Sequence, residues 1–117
     1  MQEVKIWHNP KCSKSREAME ILQDNNCEAE VVKYLEEKPD AKKIKAILKM
    51  LGIKPRELMR TKEDIYKELN LNSEKSDEAL IEAMAKHPKL IERPIIIKGE
   101  RAIIGRPTER IAEFLNS

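Results

Sequence analysis

Apolar positions change their spacing several times along the chain. Val4, Ile6 and Trp7 make a short apolar run, and residues 3–7 read as a strand. From about 13 to 25, Ala18, Ile21 and Leu22 fall on one helical face, and Asp24-Asn25-Asn26 closes the segment as a turn-like cluster. Residues 28–34 read as a second strand. Strand, helix and strand in this order form a βαβ unit, for which the crossover rule predicts parallel, right-handed pairing.

Between about 40 and 90 the spacing is helical. Asp40 suits an N-cap, Ile44, Ile47, Leu48 and Leu51 follow the i, i+3, i+4, i+7 rule, and Gly52 suits the stop. Pro55 opens a short helical turn carrying Leu58 and Met59. Thr61-Lys62-Glu63-Asp64 resembles a capping box, with Ile65 and Leu69 on the apolar face that follows. Residues 71–75 read as a loop. Ser76 then caps a helix bearing Leu80, Ile81 and Met84, ended by His87-Pro88.

Strand character returns at residues 93–98. Gly99-Glu100 makes a turn and residues 101–104 return antiparallel. Pro94 is tolerated at the start of a strand and can be cis there. Pro107 is expected near the first position of a last helix, with Ile111, Phe114 and Leu115 facing the core. The order β-α-β, helices, β-β-α predicts an α/β protein. It is that of a thioredoxin-like fold with a four-stranded mixed sheet and a helical insertion between the second and third strands.

Composition narrows the class. A chain of 117 residues is expected to form one domain, 1–117, with the insertion at about 40–90. Hydrophobic residues reach 40% and aromatics only 3%, so Ile and Leu must fill the core. Charged residues reach 38% but the net charge is +2, which argues against direct nucleic-acid binding. With no apolar run of about eighteen residues and no apolar leader, no membrane partner and a cytoplasmic location are expected. Two cysteines, Cys12 and Cys27, should be thiols there. Position 15 is serine, so there is no C-x-x-C, and no metal site is expected.

The chemistry concentrates in His8-Asn9-Pro10-Lys11-Cys12-Ser13-Lys14-Ser15-Arg16. Pro10 keeps the helix from starting early, so Cys12 falls at or beside a helix N-terminus. Free backbone N–H groups and the positive dipole end meet there, which stabilises a thiolate and can hold an oxyanion. Lys11, Lys14 and Arg16 add positive charge. His8, turned toward the thiol, would lower its pKa further. A free cysteine is more often a buried, inert residue. The polar and basic flanks favour a reactive, partly exposed thiol instead. Cys27 reads as a small packing residue. Arg60 alone would be a solvated surface charge, unless its loop aims it at a site.

The motif at residues 8–16, then Arg60, Arg93-Pro94-Ile95 and Gly105-Arg106-Pro107, resembles the glutaredoxin-linked arsenate reductase family, ArsC-like, over nearly the whole chain. Cys-Ser-Lys-Ser-Arg at residues 12–16 matches its YfgD-like branch. The resemblance implies that Cys12 is the nucleophile and that His8 helps keep it ionised. It implies that Arg60, Arg93 and Arg106 bind the oxyanion, and it groups Asn9, Ser15 and Arg16 with the substrate site. It further implies arsenate or a similar oxyanion as substrate, no bound cofactor, glutathione as co-substrate and glutaredoxin as partner. Two other functions fit the same fold. One is an Spx-like regulator that binds RNA polymerase and senses redox through a C-x-x-C; Ser15 removes that switch. The other is a glutathione-dependent thiol reductase with a different substrate. The tyrosine-phosphatase loop is disfavoured, since it needs five residues between its Cys and Arg, against three between Cys12 and Arg16.

Overall fold

The computed structural model describes residues 3–116. It has two compact units. The first runs up to Tyr34 and resumes at Arg93; the second is Leu35–Glu92.

The first unit contains β1 (Val4–Trp7), α1 (Ser13–Asp24), β2 (Ala29–Val32), β3 (Ile95–Lys98), β4 (Arg101–Ile104) and α6 (Glu109–Leu115). The sheet order is β2-β1-β3-β4. β1 pairs parallel with β2, and antiparallel pairing joins β1 to β3 and β3 to β4. This is the mixed four-stranded α/β sheet of a thioredoxin-like fold. Strand side chains alternate between faces. Val4, Ile6 and Ile96 therefore share one face, where they pack with Ala18 and Leu22 of α1 and Ile111 and Phe114 of α6. On the other face the buried Trp7 ring stacks on Tyr34, centroids 6.0 Å apart. Gly99, in the β3–β4 turn, has φ +61°, a backbone state that side chains disfavour.

The second unit holds α2 (Tyr34–Glu37, which begins on the last residue of the first), α3 (Ala41–Leu51), α4 (Asp64–Glu68) and α5 (Asp77–Lys86). Asp40 caps α3 by accepting from the Lys43 N–H at 2.9 Å, and Ser76 caps α5 by accepting from Ala79. Gly52 ends α3 at φ +67° with its N–H on the Leu48 carbonyl. Ile44, Ile47 and Leu48 of α3 are buried, as are Leu80, Ile81 and Met84 of α5. Arg56 ties the segment between these helices together. Its guanidinium donates to the Tyr66 hydroxyl and to the carbonyls of Leu71 and Glu74.

Several expectations change. The second strand is shorter than residues 28–34, because Tyr34 turns into α2 and lies fully buried against Trp7. The capping box at 61–64 does not form: Glu63 is the N-cap without a side-chain cap, and its carboxylate meets Arg60 instead. Tyr66, not Leu69, is the buried residue of α4; Leu69 is 45% exposed. The loop at 71–75 contains a 3₁₀ turn, Leu71–Ser73, held by Arg56. Pro107 lies before α6, whose N-cap is Thr108. The bonds preceding Pro94 and Pro107 are both cis. Among the described residues, no helix is long and apolar enough to cross a membrane.

Ile96 is fully enclosed at the centre of the first core. Ile96→Ala should lower unfolding free energy by about 2–5 kcal/mol in urea titrations. Asp40→Ala, which removes a cap from an exposed helix end, should cost about 1 kcal/mol.

Candidate active site

The site starts where β1 ends. The His8 N–H continues the strand pairing by donating to the Val32 carbonyl at 2.9 Å. Residues 9–12 then form a β-turn, closed by the Cys12 N–H on the Asn9 carbonyl at 3.0 Å. The Asn9 side-chain oxygen accepts from the Lys11 N–H at 3.1 Å, which braces the turn. Cys12 is the N-cap of α1, in extended conformation, and its carbonyl accepts the Arg16 N–H. Its sulfur therefore sits at the free N–H end of the helix.

Ser15 closes this loop from inside. It is fully buried, and its hydroxyl oxygen accepts the Asn9 N–H at 3.0 Å and pairs with His8 Nδ1 at 2.7 Å. Either neutral tautomer serves that pair: the ring N–H donates to the hydroxyl, or the hydroxyl donates to a bare ring nitrogen.

Strand order brings two arginines to the same end of the sheet. β3 runs antiparallel to β1, so its start, Ile95, lies beside Trp7 at the end of β1. β4 runs antiparallel to β3, so its end, Ile104, lies beside Ile95. Arg93 precedes β3 and Arg106 follows β4. Arg106 donates through Nε to the Arg93 carbonyl at 2.7 Å and through Nη2 to the Cys12 sulfur at 3.6 Å. The Arg93 guanidinium lies beside the same sulfur, and its Nε is buried with no hydrogen-bond partner among the described residues.

These neighbours decide the ionisation of the thiol. Burial pushes the Cys12 pKa up. The Arg93 guanidinium and the backbone amides of Ser15 and Lys14 pull it down further, to about 7 from an ordinary 9.0. Burial disfavours the charge on Arg93, but the Cys12 sulfur and the Tyr34 hydroxyl outweigh it, and its pKa is raised. Burial and the nearby Lys33 lower the pKa of His8, against the opposing bond to Ser15, so at pH 7 the ring is neutral.

The fold brings Cys12, Arg93 and Arg106 together. Cys12 is only 9% exposed rather than partly open, and two guanidinium groups and two backbone amides lie at its sulfur. His8 does not turn to the thiol; its Nδ1 engages Ser15, and it is not among the groups that lower the thiol pKa. The Ser15 hydroxyl is fully buried and already bonded twice, to the Asn9 N–H and the His8 ring. Asn9 is 8% exposed and builds the turn. The Arg16 side chain is exposed, without a hydrogen bond or ion pair among the described residues, and its backbone N–H bonds the Cys12 carbonyl. Arg60 belongs to the second unit. It is half-buried there, with Nε on Glu63 at 3.2 Å and Nη1 3.9 Å from Glu92, so it is not a freely solvated charge. Tyr34, the neighbour of Arg93, was not legible as a site residue because it sits at the end of an apparent strand.

The sequence profile of the ArsC family matches residues 7–114, a span that takes in the Cys12 loop and all three arginines. The chain belongs to the ArsC family. Relatives of this ArsC chain include the protein YfgD of Escherichia coli K12, 54% identical over 116 residues, covering 97% of this chain and 98% of that one. An arsenate reductase of Neisseria meningitidis serogroup B is 48% identical over 117 residues, covering 98% and 100%. Among solved structures, an arsenate reductase from Vibrio cholerae matches with a TM-score of 0.92 at 49% identity, covering 96% of this chain and 97% of that one. The identity with YfgD agrees with the YfgD-like branch.

In this ArsC chain the rate of Cys12 alkylation by iodoacetamide, followed against pH, should rise with a midpoint at about 7. Arg93→Ala should move that midpoint upward. The folded-state pKa is depressed, so the ionised thiol stabilises the fold fully above the unfolded value of 9.0 and progressively less as pH falls toward 7. Relative to Cys12→Ser, the parent should therefore gain stability in urea titrations between pH 7 and pH 9.

Proposed function

We propose that this chain reduces arsenate to arsenite through a covalent adduct on Cys12, with glutathione as electron donor and glutaredoxin recycling the enzyme thiol. The observation that carries the reading is the Cys12 sulfur, pKa about 7, held at a helix N-terminus beside two guanidinium groups. A tetrahedral oxyanion matches those donors in charge and geometry. Arg93 Nε, buried and without a partner among the described residues, offers a donor that an arsenate oxygen satisfies. Relatives named arsenate reductase, at 48% and 49% identity over nearly the full chain, bear on the choice of oxyanion.

In the first step the Cys12 thiolate attacks arsenic. A sulfur–arsenic bond forms, and one arsenate oxygen takes up two protons and leaves as water. The guanidinium groups stabilise the negative charge left on the remaining oxygens. A glutathione thiolate then attacks the Cys12 sulfur. A disulfide bond forms, the sulfur–arsenic bond breaks with its electron pair going to arsenic, and arsenic(V) leaves as arsenite, arsenic(III). Thiol exchange with glutaredoxin frees Cys12. The donor must come from outside, since Cys27 precedes β2 at the start of the parallel β1–β2 pair while Cys12 follows its end. The paired strands between those two ends are three residue steps long, about 10 Å, which is more than a disulfide spans. The family resemblance supplies the role of Arg60 as third oxyanion ligand. A redox switch of the Spx kind is disfavoured because Ser15, where a second thiol would stand, is buried and bonded to His8.

Purified protein supplied with arsenate, glutathione and glutaredoxin should release arsenite, and Cys12→Ser should abolish the activity. Arg60→Ala, Arg93→Ala and Arg106→Ala should each lower kcat/KM by about 10–1000-fold. Turnover of disulfide substrates with none of arsenate would overturn the reading in favour of a general thiol reductase.

A further inference from the structure

Gly105 joins the end of β4 to Arg106, and its N–H donates to the Pro94 carbonyl at 2.8 Å. Its φ is not in the left-handed region, so the position does not need glycine for backbone freedom. It needs glycine for space. A β-carbon there would stand 3.0 Å from Ile111 Cδ1, 3.0 Å from Pro94 Cγ and 3.2 Å from Ile111 Cγ1. Comfortable carbon contacts are about 3.5–4.0 Å. Ile111 and Pro94 are both fully buried, so neither side chain yields freely.

Relief of that crowding runs straight into the site. Pro94 is bonded to Arg93, whose carbonyl holds Arg106 Nε, and Gly105 is bonded to Arg106 itself. We propose that Gly105 is a positioning residue: its bare α-carbon seats the end of β4 against Pro94, and so holds Arg106 on the Arg93 carbonyl and both guanidinium groups at the Cys12 sulfur. The effect concerns the state of the thiol and stands whether or not arsenate is the substrate.

The test is the pH dependence of Cys12 alkylation by iodoacetamide in a Cys27→Ser background, so that one thiol reports. Gly105→Ala should raise the midpoint from about 7 and slow alkylation about two- to fivefold at pH 7. With Arg93→Ala and Arg106→Ala already present, Gly105→Ala should cause no further shift. A merely structural role would lower the urea midpoint and leave the alkylation profile in place. Should Gly105→Ala alone not fold, the comparison is made with Ile111→Val present, which removes the Cδ1 that the new methyl meets. An unchanged profile, an equal shift with and without the two arginine substitutions, or failure of both alanine variants to fold would overturn the proposal.

Discussion

The attraction between the Cys12 sulfur and the Arg93 guanidinium is the interaction on which the site depends. Burial by itself opposes an anion at this position, and a thiol enclosed by apolar groups would stay protonated at neutral pH. One guanidinium and two backbone amides reverse the balance. A fall from 9.0 to about 7 corresponds to roughly 3 kcal/mol in favour of the thiolate. A substantial share of the molecules then hold a thiolate at pH 7. Low exposure strengthens this attraction, because little water screens the pair.

Sheet topology is what makes that attraction available. A parallel β1–β2 pair flanked by antiparallel β3 and β4 puts the end of β1, the start of β3 and the end of β4 side by side. The Cys12 loop leaves from one of these ends and an arginine lies at each of the others. The polar contacts around them settle the loop. His8, Ser15 and Asn9 form a buried hydrogen-bonded group that joins strand end, turn and helix. Because its members satisfy one another, the loop carries polar atoms inside the protein without orphaning them. They hold the loop that carries the sulfur.

The second unit uses arginine in two different ways. Arg56 faces neutral acceptors, a phenol and two carbonyls, and ties turns together as a structural fork. Arg60 faces two carboxylates, Glu63 and Glu92, and the adjacent backbone is bridged from Met59 to Ile91. Its charge is compensated and its backbone is held, which pre-organises the side chain at a small entropic cost.

Hydrophobic period and punctuation in the sequence determine the elements themselves. Asp40, Gly52 and Ser76 mark helix ends because capping is local, between residues a few positions apart. Cys12 is legible for the same reason: Pro10 sets the helix start, and the helix start sets the environment of the thiol. What the sequence could not show depends on contacts between distant residues. Tyr34 reads as strand until the Trp7 ring is placed beneath it, and Glu63 reads as part of a capping box until Arg60 claims its carboxylate. His8 and Ser15 read as groups for the thiol or the substrate until the fold buries them against each other. The sequence by itself determined most of the elements, the candidate reactive thiol and the family. Only the tertiary structure decided which groups ionise the thiol, because ionisation answers to charges and burial in space, whatever their separation along the chain.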